Sequence, residues 1–156
     1  MQPQSFLDFL TEAKRSTYAA QGDDASVSPM LPGSKQLEYR NGDYLYRDIY
    51  FGFAFFTGQE IVEYRDRPVW SMTYSGGVLD SDAPKETVGA IYAFLREALR
   101  QVDVESIYRG PRQFESGAYR YVNEFEGSPA CFHGRELILL DGRAVYELFY
   151  GGGTIR

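Results

Sequence analysis

The sequence predicts an α+β fold: an antiparallel sheet with two helices packed on one face. Three observations carry this expectation. Two amphipathic helical segments are each followed by a dense run of strand and hairpin signals, giving the order α-β-β-β-β twice. The sheet is expected to be antiparallel because the turns are short hairpin turns rather than crossovers. The second round also repeats the first. Residues 56–78 align without a gap onto residues 132–154, with Phe56 on Phe132, Gly58 on Gly134, Glu60 on Glu136, Arg67 on Arg143, Tyr74 on Tyr150 and Gly76-Gly77 on Gly152-Gly153. Upstream, Gly42 to Gly52 matches Gly117 to Gly127, and Phe9 to Arg15 echoes Phe94 to Arg100. The expectation is therefore one domain, residues 1–156, made of two internally duplicated units at about 5–78 and 82–154 and related by a pseudo-twofold axis. A chain of 156 residues can bury a core of that kind without disulfides or metals.

Taken in order, the first helix starts at Ser5 as N-cap with Asp8 in its first turn, and Phe6, Phe9, Leu10 and Ala13 form its apolar face. Residues 18–34 are rich in Gly, Pro, Ser and Asp and form a long connection. A connection longer than ~12–15 residues is a candidate lid or binding loop, the alternative being a surface excursion. Strands follow at 36–40, 43–51, 59–65 and 68–75. Asn41-Gly42 is the first hairpin turn, and Thr57-Gly58 and Gly76-Gly77 read as interruptions and a chain reversal. The second helix follows Asp82-Ala83-Pro84 and presents Val88, Ile91, Tyr92, Leu95, Leu99 and Val102 at helical spacing. The last strands are expected at 111–115, 118–126, 135–140 and 143–150, with Asp141-Gly142 turning the final hairpin.

Charge and composition narrow the function classes. Net charge is −6, and acids exceed bases in both halves, so no basic stripe is left for a phosphate backbone and no nucleic-acid partner is expected. No apolar run approaches the ~20 residues that span a bilayer, and the N-terminus lacks a signal-peptide pattern, so no membrane partner is expected either. One cysteine, Cys131, excludes an internal disulfide and fits a reducing, cytoplasmic setting. Cys131 and His133 share a face, but no second histidine and no Cys-x-x-Cys accompany them. No metal and no cofactor are expected.

The candidate site comes from alternation. Tyr44, Tyr46 and Asp48 fall on one face of a strand, and Tyr119, Tyr121 and Asn123 on the equivalent face of its counterpart. Such a stripe can line a cleft, the rings stacking on a ligand and the short polar side chain orienting it. The competing reading is that the rings fill the core and the polar group satisfies tyrosine hydroxyls. Glu60 and Glu136, on equivalent strands, are candidate polar anchors or a paired acid and base. Trp70, Met72 and Tyr74 read as core.

Several stretches carry a family resemblance: Phe9 to Lys14 with Thr17, Tyr18, Ala19 and Gly22; Leu37-Glu38-Tyr39 to Gly42; Trp70 to Tyr74; Tyr108-Arg109-Gly110-Pro111; and Val145-Tyr146-Glu147 with Gly152-Gly153. In these the chain resembles an uncharacterised bacterial and archaeal domain-of-unknown-function family, found alone or after an XRE-type helix-turn-helix. The resemblance implies a sensing or regulatory context but brings no activity and no site residues. The chain begins at its first helix, so a regulatory role is expected to need a separate partner.

The expected function is a non-enzymatic binding module that holds a small, partly apolar ligand in an aromatic cleft between the two units. A protein-interaction domain, as a homodimer or with a separate regulator, is the alternative. A hydrolase-like enzyme with paired carboxylates is the third reading.

Overall fold

The structure, a computed structural model, describes residues 5–17 and 25–156. Residues 18–24 of the long connection lie outside the described residues. The elements are α1 (Phe6–Ser16), β1 (Ser26–Val27), β2 (Lys35–Asn41), β3 (Tyr44–Gly52), β4 (Phe55–Tyr64), β5 (Arg67–Val78), α2 (Lys85–Leu99), β6 (Gln113–Ser116), β7 (Tyr119–Ser128), β8 (Cys131–Leu140) and β9 (Arg143–Thr154). The nine strands form a single sheet in the order β1-β2-β3-β4-β5-β9-β8-β7-β6, and every pairing is antiparallel. The architecture is α+β. In the middle of the sheet β5 pairs with β9, with Tyr74 opposite Tyr150.

Both helices lie on the sheet face that carries the tyrosines. Ser5 caps α1 through the Asp8 amide at 3.2 Å, a contact worth about 1 kcal/mol. Beneath α1, Phe9 stacks on Tyr44 with ring centroids 4.8 Å apart. Beneath α2, Phe94 stacks on Tyr119 at 5.0 Å. The two helices flank a central aromatic layer in which Trp70 lies parallel to Phe132 at 5.6 Å and Phe132 lies parallel to Tyr108 at 4.0 Å. The opposite face of the sheet carries charged ladders such as Glu38–Arg47–Glu63.

The structure departs from the sequence expectation at the glycines. Gly58 and Gly134 do not interrupt strands; they lie within β4 and β8, opposite Tyr74 and Tyr150. A Cβ on Gly134 would lie 2.2 Å from the Tyr150 ring, and one on Gly58 would lie 2.5 Å from the Tyr74 hydroxyl. The missing side chain lets each phenol cross the neighbouring strand toward a polar group on the strand beyond it. Gly76, Gly77, Gly152 and Gly153 likewise belong to β5 and β9 rather than to chain reversals, because the paired backbones approach closely there. The long connection also contributes a short strand, β1, which pairs with β2.

Gly134→Ala is accordingly expected to destabilise the fold by about 1–3 kcal/mol, the usual range for overpacking. Urea denaturation would measure it. The loss should shrink in a Tyr150→Leu background, and an equal loss in both backgrounds would show that the ring is not the obstacle.

Candidate functional site

Two polar centres are buried under the helices. In the first, Asp48 on β3 and Glu60 on β4 are direct cross-strand partners, at 3% and 0% exposure. Tyr74, reaching over Gly58, donates its hydroxyl to Asp48 Oδ1 at 2.5 Å. Lys14, one helical turn after Leu10 on the apolar face of α1, is fully buried, with Nζ 2.9 Å from Glu60 Oε1, and it also donates to the Tyr108 carbonyl. In the second centre, Glu136 accepts from Arg109 Nη2 at 2.8 Å, from the Tyr121 hydroxyl at 2.5 Å and from the Tyr146 hydroxyl at 2.6 Å. Asn123 Oδ1 accepts from the Tyr150 hydroxyl at 2.6 Å, while its Nδ2 donates to the Gly110 carbonyl at 2.8 Å. Arg109 lies between the centres, with its guanidinium carbon 5.6 Å from the centre of the Tyr74 ring.

Burial sets the protonation of this cluster. It lowers the Lys14 pKa, an effect the adjacent Glu60 charge opposes, and it raises the hydroxyls of Tyr74, Tyr121 and Tyr146 well above their ordinary value. Asp48 is pushed up to about 7, first by burial and then by the charge of Glu60 beside it. The cause is visible in the pairing: Glu60 has Lys14 and Glu136 has Arg109, whereas the group that hydrogen-bonds Asp48 is the neutral phenol of Tyr74.

Lys14→Met keeps the volume and removes the cation, leaving Glu60 without its counter-ion at zero exposure. The expected loss is about 3 kcal/mol in urea unfolding, and adding Glu60→Gln should recover part of it. If the double variant is less stable than the single one, the pair is not acting as a pair.

A cavity of about 1220 Å³ opens over the first centre, between α2 and the β2–β3 side of the sheet. Its floor includes Asp48, Tyr74 and Arg109, and its walls include Phe53, Phe56 and Tyr92. Tyr92 is fixed by hydrogen bonds from its hydroxyl to the carbonyls of Phe53 at 2.6 Å and Ala54 at 2.8 Å, and it makes edge contacts with both phenylalanine rings. Over the second centre the corresponding space is filled, because the segment Arg109 to Arg112 packs onto Asn123.

The eight residues singled out in the sequence are distributed as follows. Asp48 lines the cavity. Tyr44 and Tyr119 pack under α1 and α2. Tyr46 and Tyr121 are fully buried in the core, Glu60 belongs to the first buried centre, beneath the cavity, and Asn123 and Glu136 belong to the second, which the segment Arg109 to Arg112 covers. Sequence reasoning did not select Lys14, Tyr74 and Arg109 for the site. Lys14 left a readable trace, a cation on the apolar stripe of α1 (Leu10 at i−4). Tyr74 gave a weaker one, facing Gly58 across a hairpin. Arg109 stands in irregular chain, and its one trace is its place in the Tyr108-Arg109-Gly110-Pro111 stretch of the family resemblance.

Among the described residues, no group of three or more His, Cys, Asp and Glu is disposed to hold a metal ion, and no helix is long and apolar enough to cross a membrane. Cys131 and His133 are both exposed on β8, with His133 3.7 Å from Glu126 on neighbouring β7. No curated protein and no solved structure matches this chain. The family model for DUF5680, a domain of unknown function, matches residues 48–155, from Asp48 in the cavity floor to the end of the sheet, and the chain belongs to that family.

Proposed function

We propose that this chain is a duplicated, pseudo-symmetric binding module that holds a small, partly apolar ligand in the cavity between α2 and the β2–β3 side of the sheet. The duplication is supported by the β5–β9 register, which pairs Tyr74 with Tyr150, 76 positions apart, and by bulges at Val62/Glu63 and Ile138/Leu139 in corresponding places. On this reading the two units diverged at one point. The second unit closes over Asn123 with a short helix-to-strand segment, while among the described residues of the first Asp48 faces a cavity.

One observation carries the binding role: a large cavity with aromatic walls ends on a floor of buried, hydrogen-bonded charged side chains. Apolar volume with a few fixed polar groups is the usual make-up of a small-molecule site. A cytoplasmic setting and a separate regulatory partner belong to the same reading.

A thermal-shift screen of small amphipathic molecules, run in parallel on Ala93→Trp, tests it. Ala93 is exposed and lines the cavity, so the variant keeps the fold while an indole fills the site. Ligands that raise the Tm of the wild type and leave that of Ala93→Trp unchanged are expected. A screen in which every hit stabilises both proteins equally would rule the cavity out.

The position of Asp48 supports a second reading. A carboxyl that holds its proton to about pH 7 at the floor of a cavity is poised for acid–base chemistry on whatever binds there. That reading requires turnover of a bound compound by the wild type and binding without turnover by Asp48→Asn.

A further inference from the structure

We infer that the cavity takes a small amphipathic anion, a monocarboxylate with an apolar body, whose head group is met at the rim by Lys35 and Arg96. This inference rests on the binding-module reading above and specifies the ligand class.

The charge around the cavity runs against that of the whole protein. The chain carries a net charge of −6, yet its described cavity residues include four cations, Lys35, Arg96, Arg100 and Arg109, and two acids, Asp48 and Glu97. Depth sorts these charges. Arg109, at the floor, is matched by Glu136 at 2.8 Å. Lys35 and Arg96 are exposed at the surface, and Arg100 is half-buried. Lys35 stands on β2, on the wall facing α2, with its Nζ 5.9 Å from the centre of the Tyr50 ring. Arg96 and Arg100 are four residues apart at the end of α2, so they project from one helix face.

Arginines at a helix C-terminus also complement the helix dipole, and that alone would account for two of the three. It does not account for the lysine across the cavity mouth, on a different element. Cations on both sides of an opening, with Glu97 the one acid beside them among the described cavity residues, form a site for a compact negative head.

The floor argues for the same orientation. A carboxylate driven to the bottom would meet Asp48 and, behind it, Glu60 and Glu136, with both buried cations already engaged by those glutamates. The apolar body therefore points inward along Phe53, Phe56 and Tyr92 while the head stays at the rim. Asp48, which holds its proton to about pH 7, is then a hydrogen-bonding end wall for that body and, once ionised, a further reason for the carboxylate to stay at the rim.

Three probes of one chain length, decanoate, 1-decanol and decylamine, separate head-group charge from apolar uptake. By calorimetry at pH 7.5, decanoate is expected to bind at least about tenfold more tightly than either analogue, the scale of one charge-assisted contact. The double variant K35Q/R96Q is expected to bring the decanoate-to-decanol ratio close to one, and added salt should lower that ratio in the wild type. If all three probes bind equally and Ala93→Trp abolishes them all, the anion inference is overturned and the binding module stands. If decanoate binds tightly but K35Q/R96Q leaves the ratio intact, the rim assignment is wrong. If no compound, neutral or charged, binds in a way that Ala93→Trp blocks, both readings fall.

Discussion

Replacing Glu136 by alanine is expected to destabilise the protein by 3–5 kcal/mol, at the upper end of what breaking a buried ion pair produces. Glu136 is wholly buried and accepts three hydrogen bonds, from Arg109, Tyr121 and Tyr146. Its removal leaves a guanidinium at 4% exposure without a counter-ion and two buried phenols without an acceptor. The apolar loss is minor by comparison, about one methylene or 0.8 kcal/mol. For a domain of this size the expected fall in Tm is roughly 6–20 °C. Glu136→Gln, which keeps the shape and one acceptor, should fall between the alanine variant and wild type. The outer-face pair Arg135–Glu147 is the natural contrast. It is close in space but partly exposed, so Glu147→Gln should change stability by less than about 1 kcal/mol. If Glu136→Ala and Glu147→Gln were equally mild, the buried centre would not be holding the sheet to the segment after α2.

The difference between those two glutamates also marks what the sequence could reveal. Strand positions were legible because alternation and hairpin turns are local. β2, β3 and β7 begin and end, and both helices begin, within a few residues of where period and capping put them. Strand ends at glycines were misread, since Gly58 and Gly76 look like breaks in one dimension. Their role is to make room for Tyr74 and for the β9 backbone, which lie far away in the chain. The acids of the centres were selected because they recur in equivalent positions. Their partners were not, because Lys14 reaches Glu60 from a helix and Arg109 reaches Glu136 from irregular chain, and no periodicity links residues that meet only on folding. The cavity was illegible for a related reason. Its walls combine α2, the turn after β3, and β2, and the stripe tyrosines expected to line it are used by the helices instead.

Asp48 is where this architecture becomes sensitive to pH. In the folded chain it holds its proton to about 7, against about 3.9 in an unfolded chain. Between those values the folded state binds more protons than the unfolded state, so stability falls as pH rises. The contribution is fully present below about pH 4 and is lost as pH climbs through 7. About three pKa units at ~1.4 kcal/mol each put the total on the order of 4 kcal/mol. Asp48→Asn has no such proton to lose. It should show a flatter profile across this window and exceed the wild type in stability at pH 8, measured by urea unfolding at pH 5, 7 and 8. The amide should fit, since Asn123 already accepts from Tyr150 in β7 as Asp48 does from Tyr74 in β3. The other groups facing Asp48 are Glu60, Lys14, Arg109 and Tyr74, and all are retained in the variant. Of these, Lys14 acts in the opposite sense: stability rises with pH between its lowered folded pKa and 10.5. Because Lys14 is common to both proteins, the difference between their profiles isolates Asp48 as far as the two side chains titrate independently. Parallel profiles from pH 5 to 8 would mean that Asp48 is ionised throughout and that the floor of the cavity is negative. The head-group preference inferred for the ligand would then have to be carried by the rim cations against that charge.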